Sequence, residues 1–592
     1  MYRAPLRELR FVLHELLDDS RLSQCPAYRE YDASFADAVL EEAAKFAEGV
    51  LAPINRIGDL NGAKWTPEGV RMPPAFKDAY AQFVNGGWSQ LRASPDYGGQ
   101  GAPLLLGTAV EELWASANLA FKLCPMLTQG AIEAIERCGS QEQKERFLSR
   151  MVSGEWTGTM NLTEPQAGSD LGALRTRAAS EGEHYRLYGQ KIFITYGDHD
   201  YTSNIIHLVL GRIQDAPAGS KGISLFIVPK VLVNDDGSLG KRNDVRAVSI
   251  EHKLGIHASP TCVISYGDCE GAIGYLVGEA NRGLEYMFIM MNAARLSVGL
   301  EGYALAEAAY QRALAYARSR VQGRPAGVPA EQEKSAPIVH HADVKRMLLT
   351  MKSQTDAARA IALYCAMQLD LARHDPDDSV RAAAQARGDL LIPIIKGWST
   401  ELGVTLTSVG IQVHGGVGFV EETGAAQHLR DVRICTIYEG TTGIQAGDLI
   451  GRKVIRDGGA AMNALIGDMR ADLKATKAGA ATARCVRAAD DAAQLLSKAT
   501  QSVLEVHTNG QEYVHGIAVP YLMLCGLVVG GWLMARTHGL AERADSEDRD
   551  FYAGKRQIAR FYAEQVLPEA SGLAQVVTGG AECVAQADVR LL

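Results

Sequence analysis

Apolar residues repeat at helical spacing in the opening zone of the chain, residues 1–158. Between residues 33 and 59, the recurring positions are Ala36, Leu40, Ala43 and Ala47. One apolar stripe at such spacing is typical of an amphipathic helix, and Pro53 follows the predicted end of this one. The opening zone is therefore predicted to be helical.

The second zone, residues 159–280, contains short runs rich in β-branched and aromatic residues. The runs are YRLYGQKIFIT, NIIHLVLGRI, GISLFIVPK and TCVISY, and Gly, Asn, Asp and Pro lie between them. Runs of this length bounded by turn residues predict strands. We therefore expect a β domain here.

Helical periodicity returns in the third zone, residues 281–455, and continues in the fourth, residues 456–592. In the third zone one helical face is marked by Tyr310, Leu314, Ala317 and Val321. The fourth zone has further amphipathic segments and no repeat of solenoid length. The predicted order is α, β, α, α, which is an α+β class that is mostly α.

One run in the fourth zone, residues 516–536, is apolar over about the length of a bilayer span. Pro520 and three glycines interrupt it, and a helix that is apolar all round also occurs in the core of a large helical bundle. We interpret it as a buried helix and expect no membrane insertion.

The composition narrows the function. A chain of 592 residues needs several hydrophobic cores, and its net charge of -9 disfavours a polyanion-binding surface as its main feature. The ten cysteines form no CxxC pair and no Cys/His cluster, so neither a metal site nor a disulfide framework is expected. The first residues lack the features of a secretory signal, and we expect a cytoplasmic protein.

Candidate chemistry first appears where the opening zone meets the β zone. The segment MNLTEPQAGSDLG, residues 160–172, offers the hydroxyls of Thr163 and Ser169 beside backbone amides near two glycines. Such a loop suits a polar or phosphorylated ligand, although it also fits a simple interdomain turn. In KIFIT, Phe193 and Thr195 are two positions apart and are predicted to share one face of a strand.

The third zone contributes two more motifs. QVHGGVGF, residues 412–419, has a glycine cluster without the strand and helix of a dinucleotide fold, so it is interpreted as a helix end. Further on, RDVRICTIYEGTTGIQ places Glu439 directly before a glycine and two threonines, and a helix is predicted to begin near Thr442. Taken by itself, such a glutamate more often marks a helix start stabilised by the helix dipole.

Taken in order, these motifs resemble the acyl-CoA dehydrogenase family of flavoproteins over residues 35–455. The resemblance implies a helical N-terminal domain, a β-barrel-like middle domain and a helical bundle domain. The additional C-terminal helical zone is similar to the long bacterial form of the family, which includes fatty acyl-CoA and 3-methylmercaptopropionyl-CoA dehydrogenases.

The resemblance implies FAD as cofactor. Its ring would lie near Met160, Leu162 and Thr163, with Phe193 and Thr195 packing and hydrogen bonding to it, and with Ser169 at the cofactor or the CoA arm. Arg320 and Gln322 would reach its phosphates or adenosine from a neighbouring subunit, in a region also lined by Gln412 and Gly416. Thr441 and Gly443, which follow Glu439 in the chain, would also contact FAD.

Glu439 resembles the catalytic base of the family. Oxidation of an acyl thioester at Cα–Cβ needs a base for the weakly acidic α-proton and an oxidant for the hydride, and a closed pocket brings the two pKa values together. Gly440 would leave room for the thioester and Arg295 would contact substrate. Asn292 stands where the family often has an aspartate near the CoA adenine, and Glu301 is a second candidate for the base.

The function implied is oxidation of an acyl-CoA to a trans-2-enoyl-CoA in fatty acid β-oxidation, with medium or long chains favoured and an electron-transfer flavoprotein as acceptor. Alternatives are a 3-methylmercaptopropionyl-CoA dehydrogenase, an acyl-CoA oxidase and a DNA-associated flavoprotein of the same family. From residue 456 onward there are 14 Lys or Arg and 16 Asp or Glu residues, which disfavours DNA. The extra zone implies a homodimer.

Overall fold

The computed structural model describes residues 2–327, 335–476, 479–544 and 547–591. Six α-helices and a two-stranded hairpin precede the main sheet: α1 Leu6–Arg10, α2 Ala33–Phe46, α3 Ala52–Asn61, β1 Lys64–Thr66, β2 Gly69–Arg71, α4 Pro74–Asn85, α5 Leu104–Cys138 and α6 Gln141–Val152. Ten strands follow: β3 Trp156–Asn161, β4 Arg177–Glu181, β5 His184–Thr195, β6 Asn204–Ile213, β7 Ser224–Pro229, β8 Val231–Val233, β9 Leu239–Arg242, β10 Val245–Ile250, β11 Thr261–Tyr266 and β12 Ala272–Leu276.

The remainder of the described chain is helical. Its α-helices are α7 Gly283–Ser319, α8 Ala342–His374, α9 Asp378–His414, α10 Ala425–Val432, α11 Thr442–Asp448, α12 Ala460–Ala475, α13 Ala480–Val506, α14 Gln511–Arg543, α15 Arg549–Phe561, α16 Glu569–Gly579 and α17 Ala581–Ala585. The predicted fold class, mostly α with a β-rich middle part, is confirmed.

The opening zone differs from the predicted pattern at two places. The hairpin of β1 and β2 was not predicted, because strands of three residues are too short to show alternation. The helix predicted to end before Pro53 instead continues, since the wider π-helical turn Ala47–Leu51 leads into α3 and places Pro53 in the first turn of that helix. Proline, which has no N–H to donate, thus lies where the π-helical turn ends and the α-helical hydrogen-bonding interval resumes.

The chain divides into two compact units. The helical unit comprises Met1–Ala44, Leu104–Ser116 and Val298–Leu592, and the β-containing unit comprises Lys45–Pro103 and Ala117–Ser297. In the β-containing unit, β5, β12, β7, β6 and β4 pair in a closed ring, because β4 is bonded to both β5 and β6. The middle part of the chain is thus barrel-like, and β3 extends it by parallel pairing with β6.

In the helical unit, α7, α8 and α9 share a core of small and flexible side chains. Its buried members are Ala306, Ala309, Ala313, Ala317, Met347, Leu348, Met351, Leu406 and Val413. Tyr310 and Leu314 pack against this core as predicted, whereas Val321 lies beyond the end of α7 and is exposed. Alanines along one face let the helices approach closely.

Among the described residues, one helix is long and apolar enough by composition to cross a membrane, and it is α14. Of the most apolar 18-residue stretch of α14, 83% is buried inside the folded chain. Its glycines pack against bulky side chains: the position of a Cβ on Gly526 is filled by the Trp398 ring of α9, and that on Gly531 by Leu567. The glycines that interrupt the run therefore serve helix packing.

Candidate active site

The loop that follows β3 is held by a buried ion pair. Glu164 accepts hydrogen bonds from Lys191 Nζ at 2.8 Å, from the Thr176 hydroxyl at 2.6 Å and from two backbone amides. Lys191 Nζ also donates to the Leu162 carbonyl at 2.9 Å. Although burial acts in the opposite direction, the Lys191 ammonium and these donors lower the pKa of Glu164 to about 2. The loop containing Leu162 and Thr163 is thereby anchored to β5.

Phe193 presents its ring to solvent from a bulge in β5. Lys191 pairs with Ile264 and Ile194 with Cys262, so two residues of β5 face one residue of β11. Phe193 has φ of 59°, a left-handed conformation that is uncommon outside glycine, and its side chain is 58% exposed. An aromatic ring held in this way is available to stack on a planar ligand.

The other predicted contacts in this unit lie around the same strands. Met160 is buried in β3, and Thr195 is half-buried at the end of β5, where its carbonyl accepts a hydrogen bond from the Thr159 hydroxyl at 2.7 Å. Ser169 is exposed on the loop, away from the buried part of the motif. Phe193 and Thr195 thus lie on β5, and Thr163 lies on the loop that is anchored to that strand.

Arg295 lies on the first half of α7 and is only 5% exposed. Its guanidinium donates to Asn292 Oδ1 at 3.4 Å, one turn earlier, and stands 6.0 Å from the centre of the Phe288 ring. Asn292, which departs from the family pattern, therefore contacts the arginine that the sequence assigned to substrate. The contact of Arg295 with substrate stays a prediction.

In the helical unit, Glu439 lies on a strained turn directly before α11. Glu439 has φ of 54° and Gly440 has φ of 94°, so two consecutive residues are left-handed. The helix begins at Thr442, as predicted, and the Thr441 hydroxyl accepts from the Ile444 amide at 3.3 Å as its N-cap. The half-buried Glu439 is therefore presented at a helix N-terminus, with Gly443 in its first turn.

The last predicted contacts lie at one end of α7 and α9. Arg320 and Gln322 are exposed just beyond α7, and the Gln322 carbonyl accepts from His341 Nε2 at 2.8 Å. Gln412 and Gly416 are exposed at the end of α9. The Tyr316 ring of α7 stacks on His414 of α9 at 4.7 Å, which brings these two segments together.

This end of the bundle is distant from the turn that carries Glu439. Lys396 contacts that turn from the middle of α9, and Gln412 is four and a half helical turns further on, about 24 Å at the rise of an α-helix. Within one chain, the two groups of residues therefore cannot contact the same part of a ligand. The resemblance assigns the Arg320 group to the cofactor of a neighbouring subunit, and this assignment stays a prediction.

The residues present fit a flavin cofactor. In the β-containing unit an exposed ring on a strained bulge lies on the strand to which the hydroxyl-bearing loop is anchored, which suits a planar ring with polar edges. In the helical unit, a Cβ built on Gly416 meets nothing within 4 Å, which suits close approach of a bulky phosphorylated group. Among the described residues, no group of three or more His, Cys, Asp or Glu could hold a metal ion.

Comparison with protein families gives four consecutive matches. They are the acyl-CoA dehydrogenase N-terminal domain at residues 36–155, its middle domain at 159–269, its C-terminal domain at 281–455, and an acetyl-CoA dehydrogenase C-terminal-like domain at 465–588. A 3-methylmercaptopropionyl-CoA dehydrogenase of Ruegeria pomeroyi is 44% identical, over 96% of this chain and 97% of its own.

Two solved structures share the fold over nearly the whole chain. ACDH-11 of Caenorhabditis elegans in complex with C11-CoA has a TM-score of 0.78 at 18% identity, covering 98% of this chain and 96% of its own. An acyl-CoA dehydrogenase of Bacillus anthracis complexed with FAD has a TM-score of 0.71 at 19% identity, covering 96% and 91%.

The chain belongs to the acyl-CoA dehydrogenase family. Membership confirms the prediction of an oxidoreductase that acts on acyl-CoA, and of FAD as its cofactor.

Several residues that support the site were not found from the sequence. The ion pair of Glu164 and Lys191 joins residues 27 positions apart, and the hydrogen bond of Lys396 to the Gly440 carbonyl joins residues 44 apart. Glu301, considered as a second base, is fully buried and accepts a hydrogen bond from the Tyr438 hydroxyl. The one signal available in the sequence was that charged residues occupy positions where the periodic pattern predicts apolar side chains.

Proposed function

We propose that this chain catalyses FAD-dependent α,β-dehydrogenation of an acyl-CoA to a trans-2-enoyl-CoA, with Glu439 as the base. The observation that carries the proposal is the left-handed turn of Glu439 and Gly440 at the N-terminus of α11. A non-glycine residue in this conformation costs free energy, and such residues cluster at functional sites when the surrounding structure holds them. Here the Thr441 cap, Gln445 and Lys396 hold the turn.

The roles of the side chains follow from the reaction. The Glu439 carboxylate removes the α-proton of the thioester, and Gly440 leaves space for the thioester beside it. FAD, when bound, supplies the acceptor for the hydride that leaves Cβ. Phe193, Thr163 and Thr195 orient the cofactor ring, and exclusion of water from the closed site makes a carboxylate strong enough for this step.

The acyl group is the open question within this reaction. Medium or long fatty acyl chains are the substrates expected from the sequence. The 44% identity to the Ruegeria enzyme over almost the full length of both chains favours a second candidate, 3-methylmercaptopropionyl-CoA. Both substrates present the same acidic α-proton to Glu439, so they are distinguished by the pocket that receives the acyl tail.

We further propose a cytoplasmic homodimer that passes its electrons to an electron-transfer flavoprotein. The position of the Arg320 group supports the dimer, because Gln412, at the same end of the bundle, lies about 24 Å along α9 from Lys396, which contacts the Glu439 turn. An acyl-CoA oxidase would use the same residues and differ in reaction with oxygen.

The experiment is anaerobic reduction of the purified holoprotein by a panel of acyl-CoA thioesters from C4 to C16, with 3-methylmercaptopropionyl-CoA included. Bleaching of the flavin absorbance by at least one thioester is expected, and the fastest thioester identifies the substrate class. Admitting air afterwards separates an oxidase, which reoxidises at once, from a dehydrogenase that waits for an electron-transfer flavoprotein. Absence of bleaching by every thioester would contradict the proposal.

A further inference from the structure

Behind the Glu439 turn, the helical unit contains a cluster of buried polar side chains that the reaction itself does not use. Lys396 of α9 and Glu301 of α7 are both fully buried. Lys396 Nζ donates to the Gly440 carbonyl, and Glu301 accepts from the Tyr438 hydroxyl and from Cys435 Sγ at 3.5 Å. Tyr438 and Gly440 are the two neighbours of Glu439 in the chain, so the cluster holds the turn from both sides.

The hydrogen bonds to Glu301 depend on protonation of the Tyr438 hydroxyl and the Cys435 thiol. Burial, and then the neighbouring Cys435 and Glu301, raise the pKa of Tyr438 well above its ordinary value. Burial and Glu301 likewise raise the pKa of Cys435, while the charge of Lys396 opposes them. The hydroxyl and the thiol therefore remain protonated and donate to the Glu301 carboxylate.

The helices are built to bring these groups together. A Cβ on Gly302 would overlap the Ser399 carbonyl of α9, and one on Gly299 would meet the Lys396 amide at 3.0 Å. The two backbones thus touch at this crossing, next to the positions of Glu301 in α7 and Lys396 in α9. Burying a cation and a carboxylate is unfavourable unless they are well bonded, so a cluster of this kind is a poor way to gain stability alone.

Gln445 completes the support from the first turns of α11. Its Nε2 donates to the Glu439 carbonyl at 3.1 Å, and its Oε1 is buried without a hydrogen-bond partner among the described residues. With Lys396 on the next carbonyl, both carbonyls of the left-handed pair are directed into the bundle. This arrangement fixes the direction in which the Glu439 side chain leaves the backbone.

We propose that Lys396 and Glu301 are positioning residues for the dehydrogenation: through the Gly440 carbonyl and the Tyr438 hydroxyl, they hold Glu439 in the left-handed turn from which it reaches the α-proton. The inference rests on the proposed function. Neither residue touches substrate or cofactor in this role. Loss of either leaves the base in the chain but allows its carboxylate to move.

The test compares two buried lysines. In Lys396→Met, the rate of anaerobic flavin reduction at saturating acyl-CoA is expected to fall about 10²-fold, the loss typical of a misplaced catalytic group, while the half-saturating acyl-CoA concentration and the FAD content change little. Lys352→Met is the matched control, because Lys352 is buried in α8 between Asp356 and Glu8, outside the cluster. It is expected to lower thermal stability and leave the reduction rate near that of the wild type.

A second readout does not depend on activity. Hydrogen exchange of the peptide covering residues 437–445 in the holoprotein without acyl-CoA is expected to be faster in Lys396→Met and in Tyr438→Phe than in Lys352→Met. Tyr438→Phe removes one hydroxyl and decides the question if Lys396→Met does not fold. Wild-type exchange and wild-type reduction rates in these variants would overturn the proposal. A wild-type protein that no acyl-CoA reduces would instead refute the proposed function, and the exchange comparison would still report on the turn.

Discussion

Glu439 is the single residue on which the proposed chemistry depends. Glu439→Gln preserves size and hydrogen-bonding capacity but removes the proton acceptor, so FAD should remain bound and acyl-CoA should still perturb the flavin spectrum. The rate of anaerobic flavin reduction is expected to fall by about 10²–10⁴-fold. Stopped-flow absorbance measures this rate. Bleaching at nearly the wild-type rate would require a base elsewhere in the chain.

Glu164 provides a pH-dependent anchor for the loop of Leu162 and Thr163. Its pKa in the folded chain is about 2, below the ordinary value of 4.5, so its contribution to stability is fully present above pH 4.5. That contribution is expected to be lost as the pH falls from 4.5 towards 2. Thermal melts of the wild type across this range should show a steeper loss than melts of Glu164→Gln. Parallel curves for the two proteins would contradict the role of this carboxylate.

The functional residues that could be predicted from the sequence are those whose structural partners are near neighbours in the chain. IYEGTTG indicated both Glu439 and the start of the following helix near Thr442, because the signal of a helix start, here the Thr441 cap, acts over three residues. Lys396 gave no such signal, since its partner is the carbonyl of a residue 44 positions away. A lysine in an apolar helix pattern is compatible with a solvated edge until the fold shows what covers it.

Among the elements, the long periodic helices were predictable and their interruptions were not. The helix that passes through Pro53 does so by a π-helical turn, which changes the hydrogen-bonding interval without changing the apolar stripe. In β5, alternation predicted that Phe193 and Thr195 share a face, but the bulge that gives Phe193 its positive φ depends on pairing with β11. Distant partners decide such features, and a local pattern does not contain them.

The crossing of α7 and α9 is an element-scale feature with a testable consequence. Gly302→Ala would place a methyl group against the Ser399 carbonyl, so one helix must shift. We expect the free energy of unfolding to fall by about 1–3 kcal/mol, the usual effect of overpacking. Denaturant unfolding followed by circular dichroism measures this change.

Gly467→Ala in α12 is the matched control for this substitution. A Cβ on Gly467 meets no atom within 4 Å, so the gain in helix propensity should leave the protein equally stable or more stable by up to about 1 kcal/mol. If Gly302→Ala behaved like Gly467→Ala, the close contact between α7 and α9 would not limit the packing of the bundle.

For the whole molecule, the fourth zone is part of the helical unit and shares its core. The position of a Cβ on Gly397 of α9 is filled by Leu522 of α14, and Trp398 of α9 packs on Gly526. Trp398 is 3% exposed in the full chain. This packing could not be read from the sequence, which showed only that α14 is apolar all round and therefore needs partners.

The final prediction concerns the consequence of removing this zone. A chain ending at residue 455 would lose α12–α17 and expose Trp398 and the apolar faces of α8 and α9, and exposed patches of this kind drive association. We therefore expect aggregates or tetramers by light scattering, where the full chain is expected to be a homodimer. A chain ending at Gln586 is the control, because it loses only the terminal residues, of which Val589 is 77% and Leu591 is 85% exposed, and it should behave as the full chain does. A well-behaved dimer formed by the chain ending at residue 455 would show that the fourth zone covers no association surface, and the proposed reason for a dimer in the long form would then fail.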